Sequence, residues 1–357
     1  MSIISNSKHR GPDFKQETFP NATFDGLVYQ DSNNPTNWYE YNTIVDDWDN
    51  LFWVSEPPNM YGYDIGGYDS SGNRFSTIEY INFKNESFTT AGFTLDIEQS
   101  YQSVFNSSSA GYTTGGSTSA DTLSTIKRMD FATQTSLTDI GTLGTQLFAS
   151  AGANSNLYGF NWDGHNGSNQ LNTLRKYDFA TASLTESIQA TTDNAFHNAG
   201  AFNSTSATYS FYMFMTSEEH LYYKYVFGSG TTSLTYIDTG TGGGSGGMSP
   251  TSFDSTMRGY AAFPRAKTNI FSIQFSTDSW STIYNLSDAS NEQTAGSGIN
   301  DDVKAFLIGG YYYDGSVYHT KSTISKFVYD AAVFSTMSYT LSVPKSHNYG
   351  FDRNWRW

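Results

Sequence analysis

The chain has 357 residues, with 34 acidic and 19 basic side chains and a formal net charge of −15. An acidic surface repels phosphate backbones and anionic lipids, which argues against nucleic-acid binding and membrane insertion. The sequence has no cysteine, which excludes disulfides, zinc–thiolate sites and a thiol nucleophile. It also has no apolar run of the roughly 18 residues that a membrane-spanning helix needs.

Residues 1–20 are predicted to form an N-terminal arm outside the repeated part of the chain. The segment is polar, locally basic at Lys8, His9 and Arg10, and lacks the apolar core of a secretory signal. Either the protein is made without export or a signal has already been removed, and the initial Met favours the first. Two interpretations stay open, a frayed terminus or an arm that orders on a neighbouring subunit through these three residues.

A repeat of about 48 residues dominates the rest of the chain, and each unit ends in an aromatic strand such as T-I-E-Y-I-N-F at residues 77–83. The closing aromatics are 48 residues apart, except for a last interval of 54. They are Phe83, Phe131, Phe179, Phe227, Phe275 and Tyr329. A period of about 40–50 residues with several short strands in each unit is typical of a β-propeller.

The number of blades follows from where the pattern starts. With Tyr41 as a further strand end, residues 21–357 are predicted to form one all-β propeller of about seven four-stranded blades. Six blades with an N-terminal appendage is the alternative. The two chain ends together supply about one repeat, so the strand around residues 348–353 is expected to pair with the blade begun by residues 26–41. Such pairing between the terminal strands would close the ring and remove its free edges.

The repeat carries a glycine doublet at residues 66–67, 115–116 and 309–310, and the segment Y-E-Y-N-T-I-V-D-D-W spans residues 39–48. A glycine doublet, a tyrosine-containing strand and a turn leading to tryptophan resemble the kelch family of propellers. That resemblance implies a ring of small antiparallel sheets. Leu137, Leu184 and Phe334 stand where a kelch blade has its tryptophan.

Residues that could support catalysis do not form a specific pattern. The segment 243–247 matches G-x-S-x-G but has no helix after it, which that motif requires. No two histidines have metal-site spacing. Asp46, Asp47, Asp49 and the run 300–302 offer oxygen ligands for calcium, without the spacing of a known loop. We expect no enzyme activity, no metal and no cofactor.

Aromatic and histidine side chains in or beside the loop after the glycine doublet are the stronger signal. Those loops emerge on one face of a propeller, where aromatic rings bind sugars and protein surfaces. The longest repeat contains several of them, although alternate members of a strand at residues 311–313 would be core. The binding-face candidates are Tyr68, Trp162, His165, Tyr311, Tyr312, Tyr313, Tyr318 and His319.

Degenerate repeats rich in Gly, Asn, Ser and Thr, together with the N-terminal arm, resemble tail, fibre or capsid-associated proteins of tailed bacteriophages. This resemblance implies a non-enzymatic structural and adhesion component of the virion, with other virion proteins as partners and a host cell-surface glycan as a further candidate. One alternative is a carbohydrate-binding or carbohydrate-cleaving propeller. A second is a cellular interaction scaffold of the kelch type.

Overall fold

The computed structural model describes residues 28–30, 38–42, 47–50, 61–162, 164–169, 171, 173–189, 200–213, 219–238, 250–262, 269–285, 295–301, 303–313 and 316–352. The chain divides into two compact units, Met1–Met60 and Tyr61–Trp357. In the first unit, strands β1 (Val28–Gln30), β2 (Trp38–Asn42) and β3 (Asp47–Asn50) form one antiparallel sheet. The described part of the chain contains no helix that is long and apolar enough to cross a membrane.

The second unit consists of six small antiparallel sheets, which are the blades. Blade 1 contains β4 (Tyr61–Ile65), β5 (Phe75–Asn82) and β6 (Phe88–Gln99). Blade 2 contains β7 (Ser103–Asn106), β8 (Ala110–Thr114), β9 (Thr125–Asp130) and β10 (Thr138–Thr142). Blade 3 contains β11 (Ala151–Asn154), β12 (Tyr158–Trp162), β13 (Thr173–Asp178) and β14 (Ser183–Gln189).

The other three blades follow the same plan. Blade 4 contains β15 (Gly200–Asn203), β16 (Ala207–Met213), β17 (Glu219–Val226) and β18 (Thr231–Asp238). Blade 5 contains β19 (Thr251–Asp254), β20 (Arg258–Ala262), β21 (Asn269–Gln274) and β22 (Ser279–Asn285). Blade 6 contains β23 (Ser297–Asn300), β24 (Lys304–Ile308), β25 (Tyr311–Tyr313), β26 (Tyr318–Val328) and β27 (Val333–Lys345). The last strand, β28 (Tyr349–Asp352), belongs to the sheet of blade 1.

The all-β propeller is confirmed, and it has six blades rather than seven. The innermost strands contact one another around the axis in the order β28, β7, β11, β15, β19, β23 and back to β28. The prediction of a seventh blade was wrong because it counted Tyr41 as a strand end of the repeat. Tyr41 lies only 42 residues before Phe83, outside the 48-residue register.

The C-terminal strand pairs with β4, where Phe351 faces Tyr63 across the ladder. The predicted partner was the segment 26–41, but its described strands β1 and β2 lie in the three-stranded sheet of the first unit. The repeat begins in the middle of a blade, so the C-terminus supplies the innermost strand that the first repeat lacks. The predicted arm and the boundary after residue 20 lie outside the described residues.

The aromatic residues that define the repeat stack between neighbouring blades. In each junction a ring from the second strand of one blade packs nearly parallel to the closing aromatic of the next blade. The pairs are Tyr63–Phe131, Tyr112–Phe179, Phe160–Phe227, Tyr209–Phe275, Tyr260–Tyr329 and Phe306–Phe83, with interplanar angles of 8–22° and centroid distances of 5.1–6.0 Å. Because the sixth pair joins blade 6 to blade 1, aromatic stacking continues around the whole ring.

The glycine doublets end the second strands in a left-handed backbone conformation. Gly66 and Gly67 have φ values of 62° and 105°, and Gly309 and Gly310 have values of 67° and 92°. A Cβ on Gly66 would lie 2.6 Å from the carbonyl oxygen of Gln99. Both the conformation and the close approach therefore require glycine.

A buried ion triad joins the end of β27 to blade 1. The Nζ atom of Lys345 lies 2.9 Å from Asp64 Oδ2 and 2.9 Å from Glu79 Oε2, and all three side chains are at most 1% exposed. Burial and the charge of Glu79 raise the pKa of the Asp64 carboxyl, although Lys345 opposes this. Two carboxylates thus share one buried ammonium group.

Candidate functional site

The ring has two faces that present different chemistry. We define the upper face as the one that carries the glycine doublets and the loops entering the innermost strands, including Tyr101 and His347. The lower face carries the turns that leave the innermost strands, beginning at Asn106, Asn154 and their equivalents. The channel along the axis lies between the two faces and is lined by the innermost strands.

Small residues on the innermost strands make this channel narrow. The positions facing the axis are Val104, Gly152, Ala201, Ser252, Gly298 and Gly350. A Cβ on Gly152 would overlap the carbonyl of Val104 in the neighbouring strand. Two spaces remain along the axis, of about 110 Å³ towards the lower face and about 60 Å³ further up.

Carboxamide and carboxylate side chains line the lower mouth of the channel at the ends of five innermost strands. They belong to Asn106, Asn154, Asn203, Asp254 and Asn300. The backbone N–H of Asn154 donates to Asn203 Oδ1 at 2.9 Å, and that of Asn203 donates to Asp254 Oδ2 at 2.9 Å. Each such bond crosses from one blade to the next, so these bonds fix blades 3, 4 and 5 relative to one another.

The residue that follows each of these five strands caps a turn. Ser107 Oγ accepts the backbone N–H of Ala110 at 3.1 Å, and Asp301 Oδ1 accepts that of Lys304 at 2.8 Å. This Asn/Asp-Ser/Asp pattern was not among the predictions from the sequence. Its spacing of 46–51 residues could have revealed it.

Four left-handed residues form the described part of a ring at the upper mouth. Tyr101, Ala149, Ala295 and His347 have φ values of 59°, 54°, 56° and 50° and each lies two residues before an innermost strand. The N–H of Ala149 donates to the carbonyl of Tyr101 at 2.9 Å, and the N–H of His347 donates to that of Ala295 at 2.7 Å. Hydrogen bonds between blades therefore hold both ends of the channel.

Aromatic side chains continue from this upper ring across four blades. Consecutive ring contacts run from Tyr318 to Tyr311 at 5.3 Å, to His347 at 5.5 Å, to Tyr101 at 4.3 Å, to Phe148 at 6.0 Å and to His165 at 5.2 Å. Tyr68 stacks on His347 at 5.0 Å, and its hydroxyl lies 3.0 Å from that of Tyr101. We call these seven residues the aromatic arc.

The arc includes four of the predicted binding-face residues, Tyr68, His165, Tyr311 and Tyr318. Tyr312 and His319 stack on each other at 4.9 Å on the hairpin of β25 and β26. Tyr311 is only 7% exposed and supports the hairpin, whereas Tyr318 is 48% exposed. Sequence reasoning missed Tyr101, Phe148 and His347, which lie in the loops between blades.

Trp162 is not available to a ligand, contrary to the prediction. It is 0% exposed, and its Nε1–H donates to Thr208 Oγ1 of blade 4 at 3.2 Å. As the last residue of β12 it points between the blades rather than into the following loop. The side chain of Tyr313 and the proposed arm residues Lys8, His9 and Arg10 lie outside the described residues.

His347 lies buried at the centre of the arc. It is 5% exposed, and its Nδ1 lies 3.2 Å from Ser346 Oγ. Burial lowers the pKa of this imidazole to about 3. The imidazole therefore stays neutral at ordinary pH, stacks on Tyr68 and Tyr311, and packs at a tilt against Tyr101.

The burial of neutral His347 predicts that the propeller is less stable at acid pH. Unfolded His347 titrates near its ordinary value of 6.5, so the unfolded chain binds the proton first and stability falls as pH drops below that value. From pH 6.5 to pH 5 the loss is about 1.6 kcal/mol, because the slope rises from half of 1.36 kcal/mol per pH unit at pH 6.5 to nearly the full value at pH 5. His347→Asn removes the titration and tolerates the left-handed backbone. Urea unfolding at several pH values is expected to show a shallower decline for the variant, and an identical decline would contradict this account.

In the part of the chain that the structure describes, no group of three or more histidine or acidic side chains is arranged to hold a metal ion. Of the acidic clusters considered for calcium, Asp301 caps its own turn, and Asp46, Asp302 and the side chains of Asp47 and Asp49 lie outside the described residues.

Neither a protein-family model nor a curated protein sequence matches this chain.

Proposed function

We propose that this protein is a non-enzymatic structural and adhesion component of a bacteriophage particle, with the kelch-like ring as a rigid platform. The observation that carries this proposal is the aromatic arc, which ends in a hairpin extending above the upper face. At the tip of that hairpin, Val317 and Tyr318 are 51% and 48% exposed. Half-exposed aromatic residues at the edge of a packed aromatic cluster favour contact with another surface.

The rigidity of the ring supports a platform role. Hydrogen bonds between blades at both channel mouths hold the upper face in one arrangement, so the hairpin is presented from a fixed base. A preorganised surface loses less conformational entropy on binding. The partners that fit this role are other virion proteins, with a host cell-surface glycan as a further candidate.

Location in the virion is tested by mass spectrometry of purified particles from the source lysate. We expect this chain in stoichiometric amount. Its absence from purified particles would overturn the virion assignment.

The contact role of the hairpin is tested by Tyr318→Ala, with Tyr339→Ala as the matched control. Tyr339 is 45% exposed but lies on the outer strand β27. We expect Tyr318→Ala to weaken attachment of the purified protein to its particle or host cells by about tenfold, as for an interface aromatic. Tyr339→Ala is expected to leave attachment unchanged. Equal attachment by both variants would rule out the hairpin as the contact.

A further inference from the structure

A cavity of about 550 Å³ opens on the lower face between blades 2 and 3. Its walls include Tyr112 and Arg128 of blade 2 and Tyr177, Phe179 and Ala182 of blade 3. The volume lies within the range of about 300–1,000 Å³ that is usual for small-molecule sites, and aromatic walls with few polar groups are typical of them.

At the corresponding position of two other blade junctions, a side-chain carboxylate is bound. Lys224 of blade 4 binds Asp278 of blade 5 at 2.7 Å, and the hydroxyl of Tyr209 donates to the same carboxylate at 3.0 Å. Lys326 of blade 6 binds Glu86 of blade 1 at 2.8 Å. In both cases a basic residue on the third strand of one blade meets an acid on a turn of the next.

These acids share one position in the repeat. Asp278 and Glu86 have φ values of 53° and 57° and follow the closing aromatic of their strand by three residues. The residue at this position in blade 3 is Ala182, with a φ of 53°. Arg128 and Tyr112 correspond to Lys224 and Tyr209. Blade 2 therefore has the basic and phenolic residues of a carboxylate site, and blade 3 lacks the acid that would fill it.

The polar atoms left at this junction are incompletely paired. Among the described residues, Arg128 Nε is buried without a hydrogen-bond partner, and the guanidinium pairs with Asp130 at 3.3 Å, where both side chains are 40% exposed. The hydroxyl of Tyr177 is also buried without a partner. Burial raises the pKa of Tyr177 to about 12, so the hydroxyl stays protonated and can donate. Unpaired buried donors of this kind are costly unless a ligand or a water molecule accepts from them.

We propose that this cavity binds an acidic sugar, whose carboxylate takes the place of the missing side-chain carboxylate beside Arg128 and Tyr112. The site lies on the lower face, so the proposal goes beyond the attachment role of the upper hairpin, and neither depends on the other. The aromatic walls provide apolar surface for the C–H face of a sugar ring. Ser107, Ser109 and Asn156 line the same cavity and supply groups that can hydrogen-bond sugar hydroxyls.

The charge around the cavity favours a singly charged ligand. Asp178 also lines the cavity, and its Oδ1 is held by the backbone N–H groups of Ala180 and Thr181 at 2.8 and 2.9 Å. Hydrogen bonds from Thr181 and Ala180 outweigh its slight burial and lower the pKa of Asp178. Asp130 and Asp178 lie near two cations, Arg128 and Lys176, and Lys176 sits over the ring of Tyr158 in the cavity wall. The site therefore has no surplus of positive charge, and a carboxylate fits better than a doubly charged phosphate.

The test is isothermal titration of the full chain with glucuronic acid, N-acetylneuraminic acid and neutral glucose. We expect at least one of the two acidic sugars to bind and glucose not to bind. Ala182→Asp is expected to abolish binding, because its carboxylate would occupy the site and pair with Arg128. Aspartate is among the residues that tolerate the left-handed backbone there, so this variant should retain the fold.

Arg128→Gln is expected to weaken binding by about tenfold or more, as for loss of a charged hydrogen bond. Lys224→Gln, at the junction whose carboxylate site is already filled, is the matched control and should bind like the unaltered chain. The proposal is overturned if neither acidic sugar binds the unaltered chain. It is also overturned if the Ala182→Asp and Arg128→Gln variants bind an acidic sugar as tightly as the unaltered chain does. Equal binding of an N-acetylated aspartyl peptide would overturn the assignment to sugars.

Discussion

Replacing Lys345 with methionine is expected to lower the free energy of unfolding of the ring by about 3–5 kcal/mol, because it leaves two buried carboxylates without their cation. The side chains of Lys345 and Asp64 are 0% exposed and that of Glu79 is 1% exposed, so water cannot replace the lost charge. At an unfolding entropy of about 2.1 cal/mol/K per residue, this corresponds to a fall in melting temperature of about 5–8 °C. Calorimetry of the unaltered chain and the variant measures it directly.

Two further variants separate lost charge pairing from lost packing. Lys224→Met removes a lysine whose side chain is 19% exposed beside an aspartate that is 38% exposed, and we expect a loss of about 1 kcal/mol or less. Combining Lys345→Met with Asp64→Asn and Glu79→Gln removes all three charges and should recover part of the stability. If the triple variant is as unstable as Lys345→Met alone, unpaired charge is not the cause.

The closing aromatics were predictable from sequence because each has the same physical partner. Phe131, Phe179 and their equivalents stack on a ring of the preceding blade, so the spacing of the aromatics repeats the geometry of the ring. The number of blades was less certain, since a single tyrosine outside the register, Tyr41, was enough to add one.

Contacts between blades were harder to predict, because each of them joins residues from different repeats. Trp162 is the last residue of β12, and the sequence did not show where that strand ends or which side its last residue faces; it lies in the core. The ion pair between Lys326 and Glu86 joins residues 240 apart in the chain. Only knowledge of the ring order shows that Arg128 faces the position of Ala182.

Only part of the aromatic arc was predictable from the sequence. The residues found from sequence, such as Tyr68 and Tyr311, follow a glycine doublet, which marks their position. His347 and Tyr101 lie in loops that carry no shared residue type, although both have a left-handed backbone. Backbone conformation at a non-glycine residue leaves little signal in a single sequence, so the centre of the arc was visible only in the structure.

The side chain of Phe351 on the C-terminal strand packs closely between blades 1 and 2. Phe351 is 3% exposed, and its ring lies 5.5 Å from Tyr63 and 5.9 Å from Phe131. A Cβ on Gly111 would overlap this ring. The same fit recurs where Gly159 meets Phe105, so glycine on the second strand admits an aromatic ring from the innermost strand of the preceding blade.

Gly111→Val is therefore expected to lower the free energy of unfolding by about 3 kcal/mol or more. The side chain of Phe351 cannot move aside, and the two strands cannot separate, without opening the junction between blades 1 and 2. Gly141→Val is the matched control, since a Cβ on Gly141 meets nothing within 4 Å, and its effect should stay within about 0.5 kcal/mol. Adding Phe351→Ala to Gly111→Val provides room for the valine. The double variant should then lose less stability than the sum of the two single losses in urea unfolding. Strict additivity would show that the two residues do not share the space, and that the C-terminal strand closes the ring by other contacts.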